Sequence, residues 1–304
     1  MVYHEIRKVK EKKQNYLVKN SRNKGKWVKD SKFIGYGKLS KKVIEESKKQ
    51  FEKELISKKK YDYLSEKELN KIEKLKQEYG SRLSTLHKEE YEKFEEAFFT
   101  ELTYDSNAIE GSSLSLQETS LIINEGLVPK GKNLREIYEA KNHLEALKFV
   151  RDYSGELNEL FILKLHSIIL KDISERFAGR YRESNVKILG SDVKLPNFII
   201  VPQLIKNLIY WYKENKKKHH PFELAILFSM KFVTIHPFID GNGRASRLLM
   251  NFILKKNKYP LINIYKKDRQ DYLNAVRKAN DESYSKIFNF SIKSLEKNIK
   301  NLFS

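Results

Sequence analysis

The sequence predicts a mainly α-helical protein that carries two short β-hairpins, and three observations support this prediction. From about residue 89 onward, apolar residues recur at helical spacing in one segment after another. The joints between these segments carry Pro129, Pro202, Pro221 and Pro260, residues that cannot continue a helix. Alternating β-branched and aromatic residues occur instead near the N-terminus and at 185–200, around turn-forming residues.

The composition is that of an ordered, water-soluble protein. Of the 304 residues, 40% are hydrophobic and 33% are charged, which is enough apolar content for a substantial core. Because the chain has no cysteine, disulfides and thiolate metal sites are excluded, and a reducing cytoplasm is the expected location. The chain has no run of eighteen apolar residues and no signal-peptide core, so we expect neither a membrane span nor export.

The positive charge is concentrated at the N-terminal end. The net charge is +20, and residues 1–60 alone hold 20 Lys and Arg against 7 Asp and Glu, a difference of +13. Such a bias favours contact with nucleic acid or another polyanion. It also occurs in proteins whose lysines only keep them in solution, and we favour this second interpretation.

The pattern predicts a basic extension at 1–60, a helical connector at 61–90 and a main domain at 91–304. Within the extension, strands are predicted at 15–21 and 27–36, joined by a turn into a hairpin. The hairpin is aromatic as well as basic, with Tyr16, Trp27, Phe33 and Tyr36. Charged segments at 40–58 and 65–79 follow as helices with thin apolar stripes.

In the main domain, a helix that begins near residue 91 is predicted to end at Gly111. Ser115 and Glu118 form a capping box that opens the next helix, which ends near Gly126. Further helices are predicted at 133–153, 157–173, 203–217, 222–235, 243–257, 267–281 and 284–302. The second hairpin, at 185–200, interrupts them, and because an isolated hairpin is marginal in water we expect it to lie at a site.

One stretch combines the chemistry of a phosphate-handling site. It reads His236-Pro-Phe-Ile-Asp-Gly-Asn-Gly-Arg-Ala-Ser-Arg247. A Gly-Asn-Gly turn that opens a helix presents free backbone N–H groups and the positive end of the helix dipole to a phosphate. Asp240 before the turn suits Mg²⁺, and His236 suits a general base near neutral pH. Arg244 and Arg247 are three residues apart, so both lie on one face of the helix as phosphate clamps.

This string resembles the signature of the Fic family, HPFx(D/E)GNGRxxR, at every defined position. The resemblance covers about residues 90–290 and implies a Fic-type helical bundle whose short β-hairpin flap is the segment at about 185–200. Leu165-His166 and Gly179-Arg-Tyr-Arg182 resemble the family's approach to that flap. His220-Pro-Phe-Glu223 resembles the lead-in to the helix before the signature, and we interpret it as structural.

The activity that the resemblance implies is that of a protein adenylyltransferase, which moves AMP from Mg-ATP to a Ser, Thr or Tyr hydroxyl of a target protein. His236 would be the catalytic base, Asn242 would complete the anion hole, and Asp240 would hold Mg²⁺. The residues implied to contact ATP are Val186, Lys187, Ile188 and Leu189 of the flap, Asp240, Gly241, Asn242, Gly243, Arg244 and Arg247 of the signature, and Tyr272 and Asn280 beyond it.

A second motif resembles the inhibitory motif of the family's self-inhibited class, (S/T)xxxE(G/N). It is Ser106-Asn-Ala-Ile-Glu-Gly111, on the N-terminal side of the signature. The resemblance implies that Glu110 pairs with Arg247 and occupies the arginine that would hold the γ-phosphate. ATP would still bind, but with its α-phosphate turned away from the attacking hydroxyl.

Several alternatives stay open at the level of sequence. Leu189 stands where many Fic flaps have glycine, and the target protein does not follow from the resemblance. The same scaffold is compatible with removal of AMP, with transfer of another nucleotide or phosphate group, with self-modification and with a homodimer. A nucleic-acid-binding regulator that uses residues 1–60 is the alternative from another functional class.

Overall fold

The computed structural model describes residues 2–9, 12–23, 26–57, 63–188 and 193–302. Contacts between Cα atoms divide the chain into two compact units, Met1–Tyr61 and Asp62–Ser304. In the described part of the chain, the fold is mainly α-helical with one small sheet, as the sequence predicted. None of the helices described combines the length and the apolarity needed to cross a bilayer.

The first unit is an antiparallel sheet of three strands with one helix. Its elements are β1 (Tyr3–Val9), β2 (Lys12–Asn23), β3 (Lys26–Tyr36) and α1 (Lys41–Ser57), with strand order β1-β2-β3. The core of the unit is small: Val2, Leu17 and Phe51 are buried together, and Ile34 and Ile44 pack against them. Burial of these side chains is what attaches α1 to the sheet.

The sequence predicted a hairpin of two strands here, and the structure has a third. Strand β1 was missed because three of its seven residues, Glu5, Arg7 and Lys8, are charged, which masks the alternation expected of a strand. It forms because it pairs with β2 in a regular antiparallel register, from Tyr3 opposite Val18 to Val9 opposite Lys12.

The second unit is a bundle of helices. Its α-helices are α2 (Glu66–Leu83), α3 (Lys88–Glu110), α4 (Leu116–Asn124), α5 (Leu134–Asp152), α6 (Glu159–Ile169), α7 (Val201–Asn215), α8 (Pro221–Ile235), α9 (Asn242–Lys256), α10 (Arg269–Asn280) and α11 (Ser285–Leu302). The predicted helices of the main domain are confirmed, with ends that differ by a few residues. The stretch at 61–90, expected as a connector, contains α2, which packs against α11 in this unit.

Helices α8 and α9 form the centre of the bundle. Both are buried on nearly every side, which is the behaviour of apolar helices inside a bundle. They are joined by a hydrogen bond of 2.7 Å between the hydroxyls of Ser229 and Ser246, and Ser246 also donates to the Ser229 carbonyl. The short loop between α8 and α9 carries the signature, so the candidate site lies at the rigid centre of this unit.

The predicted second hairpin at 185–200 is not present as strands in the residues described there, 185–188 and 193–200. Phe198–Ile200 form a 3₁₀ helix instead, with Asn197 as its N-cap. Pro196 offers no N–H for a strand ladder. A side-chain bond closes the base of the segment: Asn185 Oδ1 accepts from the Phe198 N–H at 3.1 Å. Leu189 and the predicted turn at 190–192 lie outside the described residues.

Candidate active site

The loop between α8 and α9 fixes the start of α9. Gly241 caps the helix in the left-handed conformation, with φ 76°, which glycine adopts without strain. The Asn242 side chain spans the loop: its Oδ1 accepts from the Phe238 N–H at 3.0 Å and its Nδ2 donates to the Phe238 carbonyl at 2.9 Å. The side chain of Asn242 therefore holds the loop, and its backbone N–H is left at the start of the helix for an anion.

His166 of α6 supports this loop from below. Its ring is fully buried and stacks on Phe238 with centroids 3.5 Å apart and planes 3° apart. Nδ1 accepts from the Gly179 N–H at 3.0 Å, so Nε2 carries the proton and donates to the Asp240 carbonyl at 3.0 Å. Burial lowers the pKa of His166 to about 4, which keeps this neutral tautomer in place.

His236 ends α8 in the left-handed conformation, with φ 50° and ψ 61°. This is an uncommon geometry for a residue other than glycine, and it is typical of functional positions. The ring is half-buried. Burial lowers the pKa of His236 below its ordinary value, Arg182 acts in the same direction, and the Val233 carbonyl opposes both. A neutral imidazole near physiological pH can accept a proton.

Arg182 ties the flap segment to the loop. The residue is buried, and its Nε donates to the His236 carbonyl at 2.9 Å. Its Nη1 donates to the Ser184 carbonyl at 3.1 Å, and its Nη2 donates to the Pro196 carbonyl at 2.6 Å. One planar side chain thus fixes both ends of the flap segment to the backbone of His236, the expected base.

Asp240 lies in a strongly positive environment. Its carboxylate is paired with Arg135 of α5, accepts from the Gly241 N–H at 2.5 Å, and lies 3.5 Å from Arg244 Nη2. Burial alone would raise the pKa of Asp240, but Arg244, the Gly241 amide and Arg135 outweigh it and lower the pKa. The group is therefore a carboxylate at neutral pH, as a metal ligand must be.

The described residues contain no group of three or more His, Cys, Asp or Glu that would hold a metal by itself. A single carboxylate fits Mg²⁺ nonetheless, because this ion is commonly bound by one or two carboxylates together with substrate phosphates. Arg244 lies beside Asp240 with its side chain almost fully buried, and its Nη1 is 3.4 Å from Glu139 Oε1. Asp240 would therefore hold Mg²⁺ only together with a ligand whose phosphate oxygens also bind the ion.

Arg247 is buried and is held by the motif that precedes the signature. Its Nη1 forms an ion pair of 2.8 Å with Glu110 Oε1. Its Nη2 donates to the Ser106 carbonyl at 2.8 Å, and its Nε donates to the Ser106 hydroxyl at 3.1 Å. Tyr272, a buried residue of α10, lies close enough to interact electrostatically with the guanidinium group. The expected pairing of Glu110 with Arg247 is present, and Tyr272 belongs to the same cluster.

The Glu110 carboxylate also covers the glycine turn. A Cβ added to Gly243 would collide with Glu110 Oε1, and it would lie 3.2 Å from Arg247 Nη1. Gly243 is the second residue of α9, so the carboxylate occupies space directly beside the exposed helix start. An anion bound to these N–H groups would meet the negative charge of Glu110.

The other residues expected at an ATP site are less closely joined to the signature. Asn280 Oδ1 accepts from the hydroxyl of Thr234 at 2.6 Å, and Thr234 lies two residues before His236. Asn280 and Thr234 also line a cavity of about 310 Å³ together with Trp211 and Lys231. In the flap segment, Val186 and Ile188 are half-buried, Lys187 is exposed, and Leu189 lies outside the described residues.

Comparison with known proteins supports the interpretation of residues 236–247 as a Fic signature. Residues 156–254 match the model of the Fic/DOC family. The protein adenylyltransferase Fic of Nematostella vectensis is 34% identical over 209 residues, which cover 67% of this chain and 48% of the relative. The protein adenylyltransferase fic-1 of Caenorhabditis elegans is 32% identical over 183 residues, which cover 58% and 36% of the two chains. This chain thus spans less than half the length of these relatives.

Solved structures show the same architecture. A Fic domain-containing signaling protein of Bacteroides thetaiotaomicron aligns with a TM-score of 0.69 and 27% identity, over 76% of this chain and 95% of that one. Fic-1 of Caenorhabditis elegans aligns with a TM-score of 0.68 and 27% identity, over 78% and 70%. The expected Fic-type bundle is confirmed. The chain therefore contains a domain of the Fic/DOC family, and the signature that builds the candidate active site lies within it.

Proposed function

We propose that this chain is a protein adenylyltransferase that transfers AMP from ATP to a hydroxyl side chain of a target protein. The observation that carries the proposal is the arrangement around one helix start: the base His236 precedes the N–H groups at the start of α9, which have no partner within the helix, and Arg244 and Arg247 follow them. The relatives named protein adenylyltransferase support the same activity. The cysteine-free sequence favours a cytoplasmic location, which we include in the proposal.

In this mechanism, His236 takes the proton of the target hydroxyl as its oxygen attacks the α-phosphorus of ATP. The bond between the α-phosphorus and the bridging oxygen breaks, and pyrophosphate leaves. The N–H groups at the start of α9 stabilise the charge that develops on the α-phosphate, and the arginines hold the β- and γ-phosphates. Asp240 would hold Mg²⁺, which when bound neutralises charge on the phosphate oxygens.

We further propose that Glu110 restrains this reaction. The ion pair with Arg247 occupies the guanidinium group that would bind the γ-phosphate, and the carboxylate covers Gly243. ATP that enters beside an intact pair would bind in a shifted position. The transfer rate is then lower because in-line attack needs close alignment, although binding itself is retained.

The test uses ATP labelled at the α-phosphate and, separately, at the γ-phosphate, with Mg²⁺ and a lysate of the source cells. We expect protein bands that depend on the added chain and are labelled by the first nucleotide only, and loss of these bands when the metal is chelated. Label on this chain itself would identify self-modification. Label from the γ-phosphate that depends on the added chain, or label from UTP in preference to ATP, would contradict adenylyl transfer. If neither the wild-type chain nor Glu110→Gly, which lacks the restraint, labels any protein from ATP, transfer fails as the function, and release of AMP from a modified protein becomes the reaction to measure.

The contact between His166 and the Asp240 carbonyl predicts a positioning role in this reaction. We expect His166→Ala to lower the transfer rate about 10- to 100-fold, because a shift of the loop by about 1 Å is enough for such a loss. His166→Gln retains a donor that can reach the carbonyl and should recover part of the rate. The measurement is the rate of label transfer at saturating ATP, with thermal unfolding as the check of folding. An unchanged rate in a folded His166→Ala variant contradicts the role.

A further inference from the structure

The two faces of the N-terminal sheet differ in what covers them. Strand pairing places Leu17 on the face that packs against Phe51 of α1. The opposite face carries the side chains that alternate with Leu17 and their partners on β1 and β3. We name this the aromatic face, and it is defined by Tyr3, Arg7, Tyr16, Lys29, Phe33 and Tyr36.

Three rings of the aromatic face, those of Tyr16, Phe33 and Tyr36, contact one another. The ring of Phe33 lies 5.5 Å from that of Tyr16 and 4.9 Å from that of Tyr36, in edge-to-face contacts. A register shift between Asn15 and Tyr16 in the pairing with β3 brings Tyr36 beside Phe33. Phe33 is 42% exposed, Tyr36 60% and Tyr3 41%. Exposed aromatic clusters of this kind mark binding surfaces more often than solvated faces.

Cations lie among these rings. The Arg7 guanidinium is 4.0 Å from the centre of the Tyr16 ring, and Lys29 lies on the same face from β3. Glu5 is bound between them, at 2.7 Å from Arg7 and 3.1 Å from Lys29, and these bonds lower its pKa. The carboxylate thus orients both cations. Since residues 1–60 have a net charge of +13, the surrounding field also attracts a polyanion.

Flat rings and cations on one surface fit a partner that combines exposed π-faces with regular negative charge. A single-stranded nucleic acid has both, because its unpaired bases stack on aromatic side chains while its phosphates pair with Arg and Lys. An acidic protein would use the cations but not the rings. A duplex hides its base faces within its own stack, so only its phosphates would be contacted.

We propose that the aromatic face binds single-stranded RNA. Polar groups beside the rings favour RNA over DNA, because they can pair with a 2′-hydroxyl. Asn20 donates to the Tyr3 hydroxyl at 3.2 Å, and the Tyr16 hydroxyl donates to Gln14 at 2.9 Å, so hydroxyl and amide groups border the stacking surface. This inference is separate from the transfer reaction and uses none of its residues.

The test is fluorescence anisotropy of a labelled 15-nucleotide oligouridine titrated with the full chain at several salt concentrations. The double variant Phe33→Ala/Tyr36→Ala should bind at least tenfold more weakly, because each stacked base depends on a ring. Arg7→Gln should reduce the slope of log affinity against log salt by about 0.7, as expected for the loss of one phosphate contact on a single strand. The control is Tyr210→Ala, which removes a ring that is 67% exposed on α7.

The leucine variants Phe33→Leu/Tyr36→Leu keep apolar bulk without a π-face, and they replace the alanine variants if those unfold. Binding that is the same for wild type and a folded ring-deficient variant would overturn the proposal. Equal or tighter binding of a 15-nucleotide oligothymidine would overturn the assignment to RNA. Tighter binding of a duplex or of an acidic peptide would show that charge alone determines the partner, and would also overturn it.

Discussion

His236→Ala is expected to abolish label transfer from ATP, with a rate at least a hundredfold below that of the wild-type chain. His236 ends α8 with its backbone carbonyl fixed by Arg182. The other group of the signature that could take a proton, the Asp240 carboxylate, is paired with two arginines. Loss of a general base commonly costs 10²- to 10⁴-fold. The measurement is the initial rate of labelling by ATP labelled at the α-phosphate, at equal protein concentration.

The matched control is His87→Ala. His87 is exposed and is the N-cap of α3, where its backbone N–H, which alanine keeps, donates to Glu90 at 2.8 Å. The 23 residues of α3 separate it from Glu110 by roughly 35 Å. This variant should label its target like the wild-type chain. Unchanged transfer by a folded His236→Ala variant would remove the base assignment, and equal losses in both variants would show that the assay responds to folding.

The same residue sets the expected dependence on pH. Only the neutral imidazole can take the proton, and burial lowers the pKa of His236 below the ordinary value of 6.5. Transfer should therefore be constant above that value and should fall as the pH drops through the lowered pKa. An acidic limb centred above pH 6.5 would mean that another group controls the rate.

The signature could be found from the sequence because its chemistry lies in consecutive residues. The glycines break the helix, and apolar segments flank them on both sides. These local features locate the start and the end of the signature without tertiary information. The pairing of Glu110 with Arg247 could be found only through the family resemblance. These residues are far apart in the chain, and a glutamate before a glycine is by itself an ordinary helix end.

The supports of the site could not be derived in the same way. His166, Arg182 and Arg135 reach the loop from three other segments, and each acts by a contact that only the packing of the bundle creates. His166 and Arg182 lie in segments that resemble the family's approach to the flap, but the resemblance gave their side chains no role, and Arg135 lies in no motif. The flap was misjudged for a related reason: Arg182 and Asn185 close its base by side-chain bonds, so its described residues need no strand ladder.

For strand β1 the local composition argues against a strand, and the strand forms nevertheless because it pairs with β2. Of its charged residues, Lys8 is exposed while Glu5 and Arg7 are half-buried, and the strand is stabilised by the register with β2. What the composition did indicate was the joint occurrence of aromatic and basic residues in the first 60 positions. The packing of Leu17 against Phe51 of α1 is what distinguishes the two faces of the sheet, and the sequence alone does not show it.

The second large effect is expected for Glu110→Gly, which should raise the rate of transfer at least tenfold. The change frees Arg247 Nη1 and clears the space beside Gly243, so the γ-phosphate can bind where the carboxylate lay. The fold should survive, since Arg247 keeps its bonds to Ser106, and the change falls on the last residue of α3, directly before its C-cap Gly111. ATP affinity should change only a few-fold, because the restraint acts on the alignment of the α-phosphate.

The labelling rate and the ATP dissociation constant of Glu110→Gly should be measured on the same preparation, beside the control Glu125→Gly. Glu125 also ends a helix, α4, and is exposed, so its replacement tests the effect of a glycine at a helix end. If both variants label alike, the ion pair does not restrain transfer. If Glu110→Gly gains rate only through tighter ATP binding, the carboxylate competes with the nucleotide, and the proposed misalignment is wrong. A gain in rate at nearly constant affinity is the result that follows from the contact between Glu110 and Arg247.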